Sequence, residues 1–320
     1  MMLCILEVSA RFGHSSCVSN PVATLRQQTF SSLSQLHSGV AEVTLTDFPD
    51  HANIGDSAIV LGQRSFWVQA GIVLTRVSSR STLDRATLQT RTPVAIHGGG
   101  NIGGLYPDAD LHRYRLAEGL AQETLLIQEP QTVHFSSEVS EADFARRFGA
   151  RPNTRLAVRD QRSARAVESL MAGVVISPDA VHMLGEIPAP APVADVVTLV
   201  RNDGESTGHL SEGPDWPADP WDLDWHRWWS NRTQQLPPLK SVFRHTPEVW
   251  MSKAERRFQR GVHFLSRGET IVTDRLHAML IGLQMGRRVI ATDNNYGKLS
   301  AYAETWLAPF GDQLELRGPA

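Results

Sequence analysis

An α/β fold with parallel sheets, divided into two domains, is the architecture this sequence predicts. Three observations lead there. Short apolar, β-branched runs recur, each followed by polar or glycine-rich residues and then a helical pattern, as in sheets covered on both faces. The 320 residues exceed the size at which a single core usually splits. A stretch of alternating Pro and Ala, EIPAPAPVAD from Glu186 to Asp195, suits a stiff linker between two such units.

The elements follow in order. MMLCILEV reads as a first buried strand, since it has no basic flank and is too short for a secretory signal. VAIHGGG (Val94–Gly100), LLIQEP (Leu125–Pro130), RLAVRD (Arg155–Asp160) and GVVISPD (Gly173–Asp179) read as the next strands of a domain spanning 1–187. The alternation restarts with VVTLVRNDGE, GETIVTD and RRVIATDNN in a second domain, 192–320. Ligands of such sheets bind beyond the carboxyl ends of the strands, so polar residues recurring there in both halves predict a cleft between the domains.

Bulk composition excludes several classes. With 31 Lys and Arg against 34 Asp and Glu, the net charge is −3, which offers nothing to nucleic acid. Two cysteines are too few for a disulfide framework or a zinc site, and fit a reducing cytosol. No metal-ligand spacing occurs, and no apolar run approaches the roughly 20 residues of a spanning helix. A cytoplasmic protein without metal or cofactor is expected.

The stretch TDRLHAMLIGLQMG (Thr273–Gly286) carries the most chemistry. It reads as a strand end and then an apolar helix capped by Thr273 or Asp274, which places Arg275 and His277 in the first turn. Free amides and the helix dipole favour an anion there. Arg275 adds a planar fork for phosphate or carboxylate, and His277 a group that exchanges protons near neutral pH. The structural alternative is an Arg275 ion pair with Asp274 or Asp293 and a satisfied core histidine.

Other strand ends supply further candidates. Asn53, Gly55 and Asp56 precede an apolar helix, with Asp56 either a cap or a carboxylate facing the cleft. In HGGGNIGG (His97–Gly104), Gly100 and Asn101 belong to a loop that brings backbone close to a ligand or to the other domain; the dinucleotide fingerprint is not met, because no clean helix follows. Arg159, with Asp160, and Arg201 end strands in the two halves, and Asp179 and His182 follow another. Arg159, Arg201 and Arg275 converging on one small anion is the functional expectation; surface salt bridges are the plain one. A Trp-rich insertion, 214–232, sets Trp221, Trp225, Trp228 and Trp229 on one helix face. That face either docks on the core, stacks on a sugar, or lies in a membrane interface.

The pieces NIGDSAI, HGGGNIG, IQEPQ, AVRDQRS, ISPDAVHML, VRNDGE and TDRLHAMLIGLQMGRRVIATDNNYGKLSAYAETW occur in order from about residue 50 to 306. Together they resemble the polysaccharide pyruvyl transferase family. One departure is QEPQTVHFSS, which lacks the Gly-Pro that often follows this glutamine. The resemblance implies two Rossmann-like domains facing a cleft, similar to GT-B glycosyltransferases. It implies transfer of the enolpyruvyl group of phosphoenolpyruvate, as co-substrate, onto two hydroxyls of a sugar in an exopolysaccharide or cell-surface glycan precursor, forming a pyruvate ketal. On that reading His277, Arg275 and Asp56 are catalytic. Arg159, Arg201, Lys298, Asn101 and Gly100 bind the donor, without deciding between Arg159 and Arg201 for the phosphate. Asn53, Trp225 and Trp228 contact the acceptor. A lipid-linked acceptor and peripheral contact with the inner face of the plasma membrane are further expectations. The alternatives are a nucleotide-sugar glycosyltransferase of the same architecture and a non-catalytic glycan-binding protein.

Overall fold

The computed structural model describes residues 20–202, 213–236, 246–293 and 297–318. The stretch read as a first strand, MMLCILEV, lies outside them, as do Asn294, Asn295 and Tyr296. The described chain opens instead on helix α1 (Pro21–Leu36), capped by the Asn20 side chain with Pro21 in its first turn.

Seven strands form the first sheet: β1 (Glu42–Thr46), β2 (Val73–Val77), β3 (Val94–Ile96), β4 (Asn101–Ile102), β5 (Leu126–Val133), β6 (Thr154–Val158) and β7 (Val175–Ile176). Their order is β2-β1-β3-β5-β6-β7, with β4 beside β5, and every pairing is parallel. The intervening helices are α2 (Ile54–Gln69), α3 (Arg85–Leu88), α4 (Pro107–Gly119), α5 (Glu138–Phe144) and α6 (Gln161–Val167). The chain leaves β1 in one direction to reach β2 and crosses to its other side for β3. That reversal opens a crevice beyond the carboxyl ends of β1 and β3.

The extended stretch after Gly185 contains no helix or strand until β8 (Ala194–Leu199). This strand begins a second parallel sheet, ordered β11-β10-β9-β8, with β9 (Gly268–Thr273), β10 (Arg288–Thr292) and β11 (Leu314–Arg317). Helices α7 (Trp221–Gln235), α8 (Pro247–Leu265), α9 (Leu276–Gln284) and α10 (Lys298–Trp306) belong to this half. Helix α9 is apolar on almost every side, and eight of its nine residues are buried, as a helix packed from all directions must be. One apolar cluster runs through both halves, from Leu45, Ala58 and Ile59 to Trp250, Phe258, Ile271 and Leu280. The two sheets therefore share a core.

Of the three readings of the Trp face of helix α7, docking on the core is the one the structure contradicts. Leu223, Ser230 and Thr233 are buried, whereas Trp221 is 80% exposed and Trp225 55%. Polar anchoring turns the helix this way. Asp222 accepts from Arg256 of α8 at 2.7 Å, and His226 Nδ1 lies 3.1 Å from Lys253 Nζ. Among the described residues, no helix is long and apolar enough to cross a membrane.

Candidate functional site

Three helix N-termini meet at one place. After β1 the chain turns through Asp47 in the left-handed region (φ 58°), and Asn53 caps α2 by accepting from Gly55 N at 3.0 Å. Asp56 stands in the first turn of that helix and accepts from Asn53 Nδ2 at 3.0 Å. After β9, Thr273 Oγ1 accepts from Arg275 N at 3.1 Å, and α9 begins at Leu276. The N-cap is thus Arg275 rather than Thr273 or Asp274; Asp274 turns away to accept from Arg201 N at 2.8 Å, tying the end of β8 to the end of β9. After β10, Asp293 accepts from Leu299 N and Ser300 N, setting Lys298 at the start of α10.

Two glycines permit the approach. A Cβ on Gly55 would lie 2.7 Å from His277 Cβ, so the first turns of α2 and α9 touch through a residue without a side chain. A Cβ on Gly99 would lie 2.7 Å from Asp56 Oδ1, so the glycine loop after β3 meets the same carboxylate. Gln131 Nε2 donates to the carbonyls of His97 and Gly99, and the buried Gln128 donates to His97 O, which fixes that loop.

The space enclosed is a cavity of about 580 Å³. Of the residues selected from sequence, Asn53, Asp56, Gly100, Arg201, Arg275, His277 and Lys298 line it. Four Arg or Lys (Arg80, Arg201, Arg275, Lys298) face three carboxylates (Asp47, Asp56, Asp215) across its wall. Asp215 accepts from Arg275 at 2.6 Å and Asp47 from Arg80 at 2.5 Å. With the amide dipoles of the buried helix ends added, the cavity favours a small anion. Burial alone would raise the Asp56 carboxyl, but His51, His97, His277 and Lys298 outweigh it and hold the group below the usual carboxylate range. Burial holds His97 neutral, down to about 4, against the pull of Asp56 and Asp47.

Behind the wall lies a buried charge chain. Asp179 Oδ2 is 3.3 Å from His277 Nε2 and accepts from Arg159 NH1 at 2.6 Å, while Oδ1 accepts from Val181 N. Burial pushes this carboxyl up, yet the hydrogen bond and charge of His277, with Arg159 and the backbone amide, keep it well below the ordinary carboxylate range. Tyr302 of α10 accepts from Asp179 N at 2.8 Å and meets His182 Nε2 at 2.9 Å.

Four predicted site residues lie elsewhere. Arg159 is wholly buried and off the cavity wall; its guanidinium turns inward to Asp179, Thr132 Oγ1 and Gly100 O. The expected convergence of three guanidinium groups on one guest is therefore corrected to Arg201 and Arg275, with Arg159 one layer back. Asn101 is buried in β4, outside the lining. Trp225 and Trp228 stand on the exposed face of α7, outside the cavity, and Trp216 occupies the wall instead. Sequence reasoning missed Arg80, which follows β2, and Asp215, which joins the Arg275 fork.

The model of the family described as "Polysaccharide pyruvyl transferase" matches residues 53–296. The chain belongs to the polysaccharide pyruvyl transferase family. Pyruvyl transferase 1 of Schizosaccharomyces pombe (strain 972) is 29% identical over 294 residues, 84% of this chain and 70% of that protein. EpsO of Bacillus subtilis (strain 168) is 26% identical over 298 residues, 88% of this chain and 90% of its own. A crystal structure of a Klebsiella pneumoniae subsp. pneumoniae NTUH-K2044 protein shares the fold, with a TM-score of 0.63 at 16% identity, covering 92% of this chain and 98% of that one. The family match takes in Asn53, Asp56, Arg201, Arg275 and His277 of the cavity wall, while Asp47, Pro49, His51, Ala52 and Lys298 of the same wall lie outside the matched residues.

Proposed function

We propose that this protein transfers the enolpyruvyl group of phosphoenolpyruvate onto two hydroxyls of one sugar, forming a pyruvate ketal and releasing phosphate. The observation that carries the reading is His277 beside Arg201, Arg275 and Lys298 around one cavity. A donor with a phosphate and a carboxylate needs several cations in a water-poor site. Arg275 and Arg201 serve as planar clamps and Lys298 as a point charge. Arg159, assigned to the donor on sequence grounds, is better read as holding Asp179.

The reaction needs one proton delivered to the methylene carbon of the enol and two removed from sugar hydroxyls. The first hydroxyl oxygen bonds to the ketal carbon, the second displaces phosphate there, and the remaining proton leaves with phosphate. His277 is the group that exchanges these protons, oriented by Asp179 through Nε2. Asp56, ionised and beside Asn53, receives an acceptor hydroxyl. In this reading the halves before and after the 186–195 stretch are two Rossmann-like domains, 1–187 and 192–320, facing a cleft in the GT-B manner. The acceptor is an exopolysaccharide or cell-surface glycan precursor met in the cytoplasm, and the exposed Trp face of α7 suits contact with a bilayer surface.

The test is incubation of the protein with phosphoenolpyruvate and a panel of saccharides, scored by phosphate release and product mass. A product heavier by a pyruvate ketal, lost in His277→Gln, supports the reading. Phosphate release that survives His277→Gln unchanged removes the assigned role.

A further inference from the structure

His97 lines the cavity from just after β3 and takes no part in the chemistry described above. The residue is 2% exposed, and its Nε2 has no hydrogen-bond partner among the described residues. Its Nδ1 lies 3.2 Å from Gln63 Oε1. An amide oxygen only accepts, so Nδ1 carries the proton and the neutral ring keeps its lone pair at Nε2. Gln63 is wholly buried in α2, which leaves its amide no solvent to turn toward. A second acceptor stands close by. The partners of Asp56, Asn53 Nδ2 at 3.0 Å and His51 Nε2 at 3.5 Å, both lie on Oδ2. Oδ1 faces the glycine loop. A Cβ on Gly99 would lie 2.5 Å from His97 Nε2 and 2.7 Å from Asp56 Oδ1. One point in space is thus within reach of both acceptors, and glycine at 99 keeps it clear of any side chain. The other carboxylates of the wall differ, since Asp47 and Asp215 are each held by a guanidinium.

We propose that Asp56 Oδ1 and His97 Nε2 form a paired acceptor that receives the two reacting hydroxyls of the saccharide, one each, which makes His97 a second proton-transfer residue of this site. The inference rests on the reading that the cavity forms a ketal from phosphoenolpyruvate. A buried imidazole nitrogen without a partner costs free energy until a donor meets it. Two acceptors with no proton of their own match a ligand that brings two O–H groups. Hydroxyls that close a ketal ring must be neighbours, and the two acceptors flank one point beside Gly99, so the pair selects vicinal or 1,3-diols. Two C–O bonds form at the ketal carbon, and the bond from that carbon to the phosphate oxygen breaks. The methylene carbon takes its proton from His277. Of the two hydroxyl protons, received by Asp56 and His97, one restores His277 and the other departs with phosphate. The Asp56 carboxylate beside it favours His97 in its protonated form while the proton is in transit.

Calorimetric titration of the full chain tests this with methyl glucoside, methyl galactoside, methyl mannoside and their monodeoxy analogues as probes, with and without phosphoenolpyruvate, while phosphate release is followed in parallel. Wild-type protein should bind at least one glycoside, and loss of either reacting hydroxyl should weaken it at least about fivefold. His97→Leu should bind the parent glycoside as weakly as wild type binds one of the monodeoxy analogues, and should lose nothing further with that analogue. His97→Gln, which offers an amide oxygen but takes up no proton, should bind the parent within about threefold of wild type yet release phosphate at least about 10²-fold more slowly. Both variants should bind phosphoenolpyruvate within about threefold of wild type. The proposal is overturned if no glycoside binds, if every deoxy penalty persists unchanged in His97→Leu, or if His97→Gln releases phosphate as wild type does. Failure of phosphoenolpyruvate to bind, or glycoside binding with no ketal formed, would instead strike the reading of the cavity, and the deoxy penalties measured without phosphoenolpyruvate would still decide whether His97 receives a hydroxyl.

Discussion

Asp179 Oδ2 lies 3.3 Å from Nε2 of His277, reaching from the 3-10 helix after β7 to the first turn of α9. The contact joins the two halves of the chain at the histidine proposed to exchange protons with the substrate. It fixes the ring so that Nε2 is occupied by the carboxylate. Asp179→Asn should therefore lower kcat by about 10²-fold while the KM for phosphoenolpyruvate stays within about threefold, since orientation and not donor binding is lost. Steady-state kinetics reads this split; a rise in KM with kcat unchanged would place Asp179 in binding instead.

The same carboxylate neutralises Arg159, which has no access to solvent. Removing one member of a buried pair strands the other charge, and the cost is about 3–5 kcal/mol. Urea unfolding should show Asp179→Asn destabilised by that order, with Arg159→Met/Asp179→Asn recovering a good part. A double variant no more stable than the single would mean that Arg159 is held by Thr132 and the Gly100 carbonyl alone.

Gly55 and Gly99 make a steric prediction. In Gly55→Ala the new methyl meets the His277 side chain at 2.7 Å, and in Gly99→Ala it meets Asp56 and His97. Either group must move, at about 1–3 kcal/mol. Both variants should fold, with a modest loss in thermal midpoint, and Gly55→Ala should lose most activity. Full activity in Gly55→Ala would show that the spacing of α2 and α9 is not what sets His277.

Buried titrating groups give stability a defined pH dependence. His37, His97, His112 and His182 are each lowered to about 4, chiefly by burial. Between pH 6.5 and 4 the unfolded chain binds protons there that the folded chain does not. Their contribution is thus complete above about pH 6.5 and is lost as pH falls toward 4. Glu129 has the opposite sign: burial raises it to about 8, so its contribution is full below about pH 4.5 and is lost as pH rises through 8. Thermal melts across pH 4 to 9 should fall steeply on the acid side, and Glu129→Gln should flatten the alkaline decline. An unchanged alkaline limb in that variant would contradict the neutral Glu129.

How much of this was legible can be argued from single residues. Arg201, Arg275, His277 and Asp56 were found because each follows a strand or opens a helix, and in parallel sheets those places share one edge; Lys298 entered only with the family resemblance. Arg159 carries the same signal, but position at a strand end locates the Cα and says nothing of which way a long side chain turns; Asp179 drew it inward. Periodicity grouped the Trp residues of α7 correctly on one stripe, yet it does not tell which stripe is buried. Ion pairs to α8 decided that. Strand β1, EVTLT, alternates Thr with apolar residues and lacks the continuous apolar run of its neighbours, and β2 is partly exposed, so Arg80 at its end went unnoticed.

The central claim is that Arg201, Arg275, Lys298 and His277 surround one anionic donor. Calorimetric titration of phosphoenolpyruvate into wild type, Arg275→Gln and His277→Gln, with phosphate release followed in parallel, tests it most directly. Arg275→Gln should bind at least about tenfold more weakly, as loss of a charged hydrogen-bonding partner requires. His277→Gln should bind within about threefold of wild type and release no phosphate. Equal affinity in wild type and Arg275→Gln, or undiminished phosphate release from His277→Gln, would contradict it.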